Sequence, residues 1–412
     1  MPPRGQFNES LSADAAPSQA DDADSCAGLA RETRSDYPPP QGNDYPLWSP
    51  RIWHGMTAGD YWRLLWHGRF QIAPSRWHLG IITLFTSIFN SLLAWIQFIC
   101  FEWRIRKTEL PRQPVFVIGH FRSGTTMLFE FLACDEQFTY PTTYECFSPR
   151  HFLLTERLIP WVMSRLLPKR RPMDNMRAGF EQPQEDEFAL LSLSAPTIYR
   201  RLAFPNQPPP YLETLTFEDE QSAVLRRWQK QLIWFYRAVV LRKIKRLLIK
   251  SPVHTGRIAR LIKLFPDARF VHIVRNPQDI FPSIKNAWRV LDLTQGFQIP
   301  RNEDQLNEFI FDTLQEMYRG FWEQSASLTK GQLCEVKYED LLADPLNQIR
   351  RIYEQLSLGD FDALQPVLEN RIVELGDYQR NRFESSAVMQ QTVDERWAEY
   401  ASRYGYSRAN RR

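Results

Sequence analysis

The chain has 412 residues, of which 43% are hydrophobic and 24% are charged, so it can form one large globular domain or two small ones. Its formal net charge of +3 is too small to indicate nucleic-acid binding. Five scattered cysteines without a CxxC pair argue against a disulfide framework and a zinc site, and the polar N-terminus predicts a cytoplasmic protein without a secretory signal.

The predicted elements begin after a polar segment. Residues 1–45 are rich in Ala, Ser, Asp, Gln and Pro, and we expect a disordered tail. Residues 46–110 are expected to be helical around the apolar stretch 79–101, whose 23 uncharged residues could cross a bilayer. Small polar residues recur there on one helical face: Thr83, Thr86, Ser87, Asn90, Ser91 and Gln97. This stripe favours a helix packed on its own domain, or one in contact with a membrane surface, over a true span.

An α/β domain is predicted for residues 111–390, followed by a basic C-terminal tail at 391–412. Short apolar runs predict buried parallel strands at Val115–Ile118, Leu247–Ile249, Phe270–Val274 and Leu333–Val336. Helical segments alternate with them at Thr125–Ala133, Glu220–Lys243, Thr255–Leu264, Asp279–Val290 and Pro345–Leu356. Ligands of such domains bind at the carboxyl ends of the strands, so the polar residues there are candidates for the site.

The strongest motif is PVFVIGHFRSGTTML, which has the order strand, glycine-bounded turn, helix. Gly119 allows a sharp exit from the strand, and Gly124 allows backbone N–H groups to approach an oxyanion. The helix that starts at Thr125 and Thr126 directs its N-terminal amides to the same anion. A Walker A loop has Lys where Thr125 stands, and here the cation is Arg122 inside the turn. The pattern therefore weakens a kinase or ATPase interpretation.

A second anion-binding block is predicted in ARFVHIVRNPQDIFPSIKNAW. Arg275 ends a strand, and Ser283 follows eight residues later on a helix, so both side chains can converge on one phosphate. A magnesium-dependent phosphoryl transferase usually has an Asp at such a strand end. Arg275 alone could also cap a helix or pair with an acid.

Together these blocks resemble the PAPS-dependent sulfotransferases, and most of all the bacterial branch that is similar to tyrosylprotein and carbohydrate sulfotransferases. The resemblance covers about residues 112–358 and implies a P-loop-like three-layer fold with a central parallel sheet, preceded by a helical region. It implies that the turn binds the 5′-phosphosulfate of PAPS through Gly119, Arg122, Ser123, Gly124, Thr125 and Thr126. It also implies that Arg275 and Ser283 bind the 3′-phosphate, that Lys250 in LLIKSP reaches the transferring group, and that Tyr338 in VKYEDLLADP lies near the adenine.

The acceptor hydroxyl needs a general base, and the sequence offers three candidates. Glu145 in TTYECFSP occupies a position similar to that of the catalytic Glu of tyrosylprotein sulfotransferases, and we expect it to be the base. His254 is a rival, although its spacing from Lys250 is longer than in the cytosolic members. The acidic run at 184–187 is a third candidate, and its simpler role is to stabilise the first turn of a helix.

Two other functions stay open at this stage: a P-loop kinase or ATPase, and a nucleotide-binding membrane protein without catalysis. No metal is expected, since side-chain cations can neutralise a sulfuryl group. The acceptor could be a small molecule, a carbohydrate or a lipid, and neither it nor the oligomeric state can be predicted from sequence. Arg380 or Arg382 could contact the 3′-phosphate, but a solvated basic helix end is the simpler interpretation.

Overall fold

The structure is a computed structural model that describes residues 42, 43, 45, 46, 49–164, 170–173, 176, 178–375, 383 and 385–407. Most of the predicted tail at 1–45 therefore lies outside the described residues, as do Arg380 and Arg382.

The centre of the fold is a five-stranded parallel sheet with the strand order β2-β3-β1-β4-β5. Its strands are β1 Val115–Ile118, β2 Phe138–Thr139, β3 Arg246–Lys250, β4 Arg269–Val274 and β5 Leu333–Lys337. Four of them were predicted to within one residue at each end. Successive residues of β1 point into separate hydrophobic cores, Phe116 on one face of the sheet and Val117 on the other. The sheet is therefore covered on both faces, and the predicted P-loop-like three-layer α/β fold is confirmed.

Sixteen helices are found in the described part of the chain. They are α1 Ala58–His67, α2 Trp77–Lys107, α3 Thr125–Leu132, α4 Thr143–Phe147, α5 Phe152–Thr155, α6 Ile159–Met163, α7 Asp186–Ser192, α8 Ala223–Arg242, α9 Ile258–Leu264, α10 Pro277–Gln295, α11 Glu303–Ser325, α12 Tyr338–Ala343, α13 Pro345–Leu356, α14 Phe361–Leu375, α15 Ala387–Arg396 and α16 Ala398–Arg403. Short 3₁₀ turns occur at Ile52–Gly55, Pro74–Arg76, Ile198–Ala203, Leu212–Leu215 and Pro252–Arg257.

The apolar helix α2 packs on the domain through its polar stripe. Asn90 Nδ2 donates to the carbonyl oxygens of His54 at 2.6 Å and Met56 at 3.0 Å. Gln97 Oε1 accepts a hydrogen bond from the backbone N–H of Leu153 at 2.9 Å. The predicted polar face is therefore turned inward and the apolar face outward, the reverse of an ordinary surface helix.

The C-terminal helices α15 and α16 belong to the folded domain. Trp397 and Tyr400 are both buried, and Tyr400 Oη donates to the carbonyl oxygen of Arg275 at 2.9 Å. The predicted boundary after residue 390 falls inside α15, and the folded chain continues to Tyr406, which hydrogen-bonds Glu339 at 2.6 Å. The expected tail at 391–412 is therefore structured through residue 407, because its aromatic residues have partners on distant elements that local composition does not show.

Candidate functional site

The phosphate-binding turn joins β1 to α3 in a conformation that needs both glycines. Gly119 has φ of 142°, and a Cβ there would lie 2.3 Å from the carbonyl oxygen of Ile273. Gly124 has φ of 101°, and a Cβ there would lie 2.4 Å from the ring of Tyr338. Since Gly124 is also the N-cap of α3 and has no side chain, the first amides of that helix are left facing the turn. Ser123 closes the turn by donating from Oγ to the carbonyl oxygen of His120 at 2.7 Å.

Two of the predicted cations meet at this turn, one from the turn itself and one from the residue after β4. Arg122 Nε donates to Ser283 Oγ at 3.1 Å, and an Arg275 guanidinium nitrogen donates to the carbonyl oxygen of Arg122 at 3.1 Å. The Arg275 guanidinium also lies 4.5 Å from the centre of the Tyr338 ring. These side chains come from the turn, from the end of β4, from α10 and from the end of β5. The structure therefore brings together the two blocks that the sequence analysis assigned to one nucleotide.

Lys250 links the turn to a carboxylate. Its Nζ lies 3.4 Å from Thr126 Oγ1 and 2.6 Å from Glu185 Oε1. The other carboxylate oxygen of Glu185 accepts a hydrogen bond from Tyr199 Oη at 2.5 Å. Burial and the neighbouring Glu185 raise the pKa of Tyr199 well above its usual value, so Tyr199 stays a neutral donor. Glu185 is thus held at the carboxyl end of β3 by a cation on one side and a hydroxyl on the other.

Glu145, the base expected from sequence, has different partners. It is the third residue of α4, and its carboxylate accepts from the backbone N–H of Thr142 at 2.8 Å while Thr142 Oγ1 accepts from the N–H of Glu145. This is a capping box. Burial raises the pKa of Glu145 to about 7, opposed by its bonds to Thr142 and by the charges of Lys243 and Arg242. Glu145 lines a cavity of about 950 Å³ together with these two basic residues.

His254 is buried in the core on the face of the sheet that Phe116 occupies. Its Nε2 lies 2.9 Å from Asp186 Oδ2, both side chains are fully buried, and Tyr236 Oη donates to the same carboxylate oxygen at 2.6 Å. The ring packs edge-on against Phe116 and Trp228. The described partners of His254 are therefore core residues, although the next residue, Thr255, accepts a hydrogen bond from the backbone N–H of Gly119 at 2.8 Å.

The acidic run therefore divides between the core and the site. Asp186 pairs with His254, and Glu187 makes a two-pronged ion pair with the buried Arg257 at 2.9 and 3.3 Å. Glu185, the N-cap of α7, has extended backbone and points the other way. The sequence analysis gave this run the least weight of the three candidates, and it did not identify Tyr199. No local pattern in the sequence distinguishes Glu185 from the two acidic residues that follow it.

A narrow apolar cavity of about 90 Å³ reaches Gln184, the residue before Glu185. Its walls include Phe147, Phe188 and Leu291. Among the residues that the structure describes, no three His, Cys, Asp or Glu side chains are grouped in a way that could hold a metal ion.

Comparison with known proteins gives a consistent result. The model of the family described as "Sulfotransferase family" matches residues 114–362. The chain is 38% identical over 361 residues to omega-hydroxy-beta-dihydromenaquinone-9 sulfotransferase Stf3 of Mycobacterium bovis, covering 88% of this chain and 92% of that protein. Among solved structures, sulfotransferase STF9 from Mycobacterium avium superposes with a TM-score of 0.59 at 16% identity, covering 84% of this chain and 96% of the other. Sulfotransferase STF1 from Mycobacterium tuberculosis gives 0.57 at 17% identity, with 84% and 94% covered.

Proposed function

The chain belongs to the sulfotransferase family, and we propose that it transfers the sulfuryl group of PAPS to a hydroxyl group of a lipid, with Glu185 as the general base. The main support is the row formed by Thr126, Lys250 and Glu185, in which the lysine Nζ lies 3.4 Å from the turn and 2.6 Å from the carboxylate. A base placed one side chain away from an anion-binding turn is the arrangement that sulfuryl transfer to a hydroxyl requires.

The residues around the turn fit the nucleotide. Arg275 Nε and Ser251 Oγ are buried without a hydrogen-bond partner among the described residues, and buried polar groups of this kind are usually satisfied by a ligand or water. We expect Arg275 and Ser283 to hold the 3′-phosphate, with Tyr338 near the adenine. Arg122 and the amides of the turn, with Thr125 and Thr126, would hold the 5′-phosphosulfate.

Each side chain then has a separate task in the reaction. PAPS supplies the sulfuryl group, whose bond to the 5′-phosphate oxygen breaks as a bond to the acceptor oxygen forms. Glu185 accepts the proton of the acceptor hydroxyl, and Tyr199 holds the carboxylate in place through its other oxygen. Lys250 and Arg122 neutralise the charge that develops on the leaving phosphate oxygen. Because the buried Lys250 Nζ lies between Glu185 and Thr126 of the turn, it can move from the carboxylate to the phosphosulfate without passing through solvent.

The acceptor is proposed from the relative and from the site together. Stf3 is named for a hydroxylated menaquinone, a lipid with a terminal hydroxyl group. The apolar cavity that reaches Gln184, the residue before Glu185, is bordered by Phe147 and Phe188, and such walls suit the hydrocarbon part of a lipid acceptor. We therefore propose a long-chain lipid alcohol as the acceptor, and a cytoplasmic location at a membrane surface.

Calorimetric titration with adenosine 3′,5′-bisphosphate tests the nucleotide assignment, with ATP and magnesium as the competing ligand. Arg275→Ala should weaken bisphosphate binding by roughly 10²-fold or more, because a charged hydrogen-bonding partner of the phosphate is lost. Arg269→Ala is the matched control, since Arg269 lies at the opposite end of the same strand and bonds the carbonyl oxygen of Leu356 at 3.2 Å. Preference for ATP, or equal effects of the two substitutions, would contradict the assignment.

A further inference from the structure

Helix α2 exposes a continuous apolar surface. We call it the α2 face, and it is defined by Ile81, Phe85, Phe89, Leu92, Trp95 and Phe98, each more than half exposed. Only 28% of the most apolar 18-residue stretch of this helix is buried in the domain. An exposed apolar surface of this length on a water-soluble monomer usually marks a contact with a partner or a membrane.

The way α2 is attached decides against a helix that crosses the bilayer. Near its start, Arg76 donates to the carbonyl oxygen of Leu293 at 2.7 Å. Near its end, Trp234 Nε1 donates to Glu102 Oε2 at 2.9 Å. The 31 residues of α2 span about 46 Å, and both ends are bonded to the same domain. A spanning helix would need these two ends on opposite sides of a membrane, so α2 lies along the surface of the domain instead.

The charges beside the α2 face are almost all positive. Between Thr57 and Lys107, where every residue is described, the two acids are Asp60 and Glu102, and neither is exposed. Asp60 pairs with Arg150 at 2.8 Å and Glu102 with Arg106 at 2.7 Å. The exposed charged side chains of that range are basic, which favours contact with an anionic surface.

Helix α8 adds a basic groove next to the apolar surface. A cavity of about 760 Å³ separates α2 from α8, and its walls include Phe98, Arg226, Lys230 and Arg237. Helix α8 contains no acidic residue. Arg237 Nε is buried and has no hydrogen-bond partner among the described residues. We call this the α8 groove. Its walls also include Glu102, which is paired with Arg106, and its other charged side chains are basic and lie beside Phe98 and Trp234.

We propose that the α2 face and the α8 groove together bind the surface of a bilayer that contains anionic phospholipids. The α2 face enters the boundary between head groups and acyl chains, and Arg226, Lys230 and Arg237 contact lipid phosphates. The apolar α2 face matches the acyl-chain layer of such an interface, and the basic α8 groove beside it matches the layer of anionic head groups. The use of this contact for taking up a lipid acceptor rests on the proposed function, while the contact itself does not.

Sedimentation of the full chain with vesicles tests the proposal, using phosphatidylcholine with and without phosphatidylglycerol and neither nucleotide nor acceptor. The double variant Phe85→Ser, Phe89→Ser should lower the partition coefficient by roughly tenfold or more, because two large apolar groups no longer enter the membrane. The control Val373→Ser, Val388→Ser changes side chains that are each 77% exposed elsewhere on the domain and should have no effect. Arg226→Gln with Lys230→Gln should remove the extra binding that phosphatidylglycerol confers.

Two results would overturn the proposal. One is equal sedimentation of the wild type and the Phe85/Phe89 variant at matched thermal stability. The other is a dimer in size-exclusion chromatography with light scattering that dissociates in the same variant, since a second copy of the chain would then cover the α2 face. Because the vesicle assay contains no PAPS, a failure to bind vesicles would contradict only the membrane proposal. Loss of bisphosphate binding with intact vesicle binding would contradict only the proposed sulfuryl transfer.

Discussion

Replacing Glu185 with Gln removes one carboxylate while keeping the length of the side chain. We expect kcat to fall by roughly 10²- to 10⁴-fold, the usual contribution of a general base, which corresponds to about 3–5 kcal/mol in the barrier. Lys250 is only 1% exposed and would lose its ion-pair partner, so the free energy of unfolding should also fall by roughly 1–3 kcal/mol. Affinity for the bisphosphate should stay the same or rise, because Lys250 would no longer be held by an internal anion.

The matched control is Glu145→Gln, the same substitution at the glutamate that the sequence predicted to be the base. Gln at this position can still accept from the N–H of Thr142, so the capping box should survive. The assay measures bisphosphate release and sulfated product with a hydroxylated menaquinone in detergent, and titration measures bisphosphate affinity for each variant. Full turnover by Glu185→Gln together with an inactive Glu145→Gln would refute the assignment and restore the base expected from sequence.

Three further predictions concern the neighbours of these groups. Because burial raises the pKa of Glu145 from 4.5 to about 7, the stability that its protonated form contributes is complete below about pH 4.5 and is lost as the pH rises to about 7, by roughly 3 kcal/mol in all. Glu145→Gln should therefore raise Tm relative to the wild type at pH 8 but not at pH 4, and an equal difference at both would contradict this. Gly124→Ala should weaken bisphosphate binding at least tenfold because its Cβ would overlap Tyr338. Gly331→Ala, also at positive φ, should leave the calorimetric affinity unchanged, because its Cβ would meet the carbonyl oxygen of Gln355 at an ordinary contact distance of 3.7 Å. Tyr199→Phe removes the bond to Glu185, so kcat should fall roughly tenfold with unchanged KM, and a change in KM alone would argue against a positioning role.

The sheet and the turn could be predicted from sequence because their signals are local. A buried parallel strand is a mostly apolar run, and the four predicted strands are bounded by polar residues, glycine or proline. The turn needs two glycines at fixed spacing, and the structure explains both through positive φ and close backbone approach. Strand β2 was missed, since a two-residue strand has no periodicity to detect.

The partner of Lys250 could not be predicted, because it depends on contacts between distant segments. Glu185 lies 65 residues earlier in the chain, and no local pattern separates it from Asp186 and Glu187. The structure separates them by burial: the side chains of Asp186 and Glu187 are fully buried, whereas that of Glu185 is 14% exposed. The partner of His254 could not be predicted for the same reason, since Asp186 lies 68 residues earlier in the chain.

Helix α2 combines a local sequence signal with contacts between distant segments. The polar stripe was visible in the sequence, and its inward direction follows from hydrogen bonds that Asn90 and Gln97 make with residues far along the chain. Composition alone does not distinguish a helix that spans a membrane from a helix that packs along the surface of its own domain. The attachment of both ends to one domain makes that choice.

We propose that this chain moves a sulfuryl group from PAPS to a lipid hydroxyl, and one reaction tests this directly. The most direct measurement is mass spectrometry of a reaction that contains the full chain, PAPS and a hydroxylated menaquinone, following the sulfated lipid and adenosine 3′,5′-bisphosphate together. If the proposal is right, both products appear in equal amounts and Arg275→Ala abolishes both. Bisphosphate release without a sulfated lipid, or turnover of ATP with magnesium in place of PAPS, would contradict it.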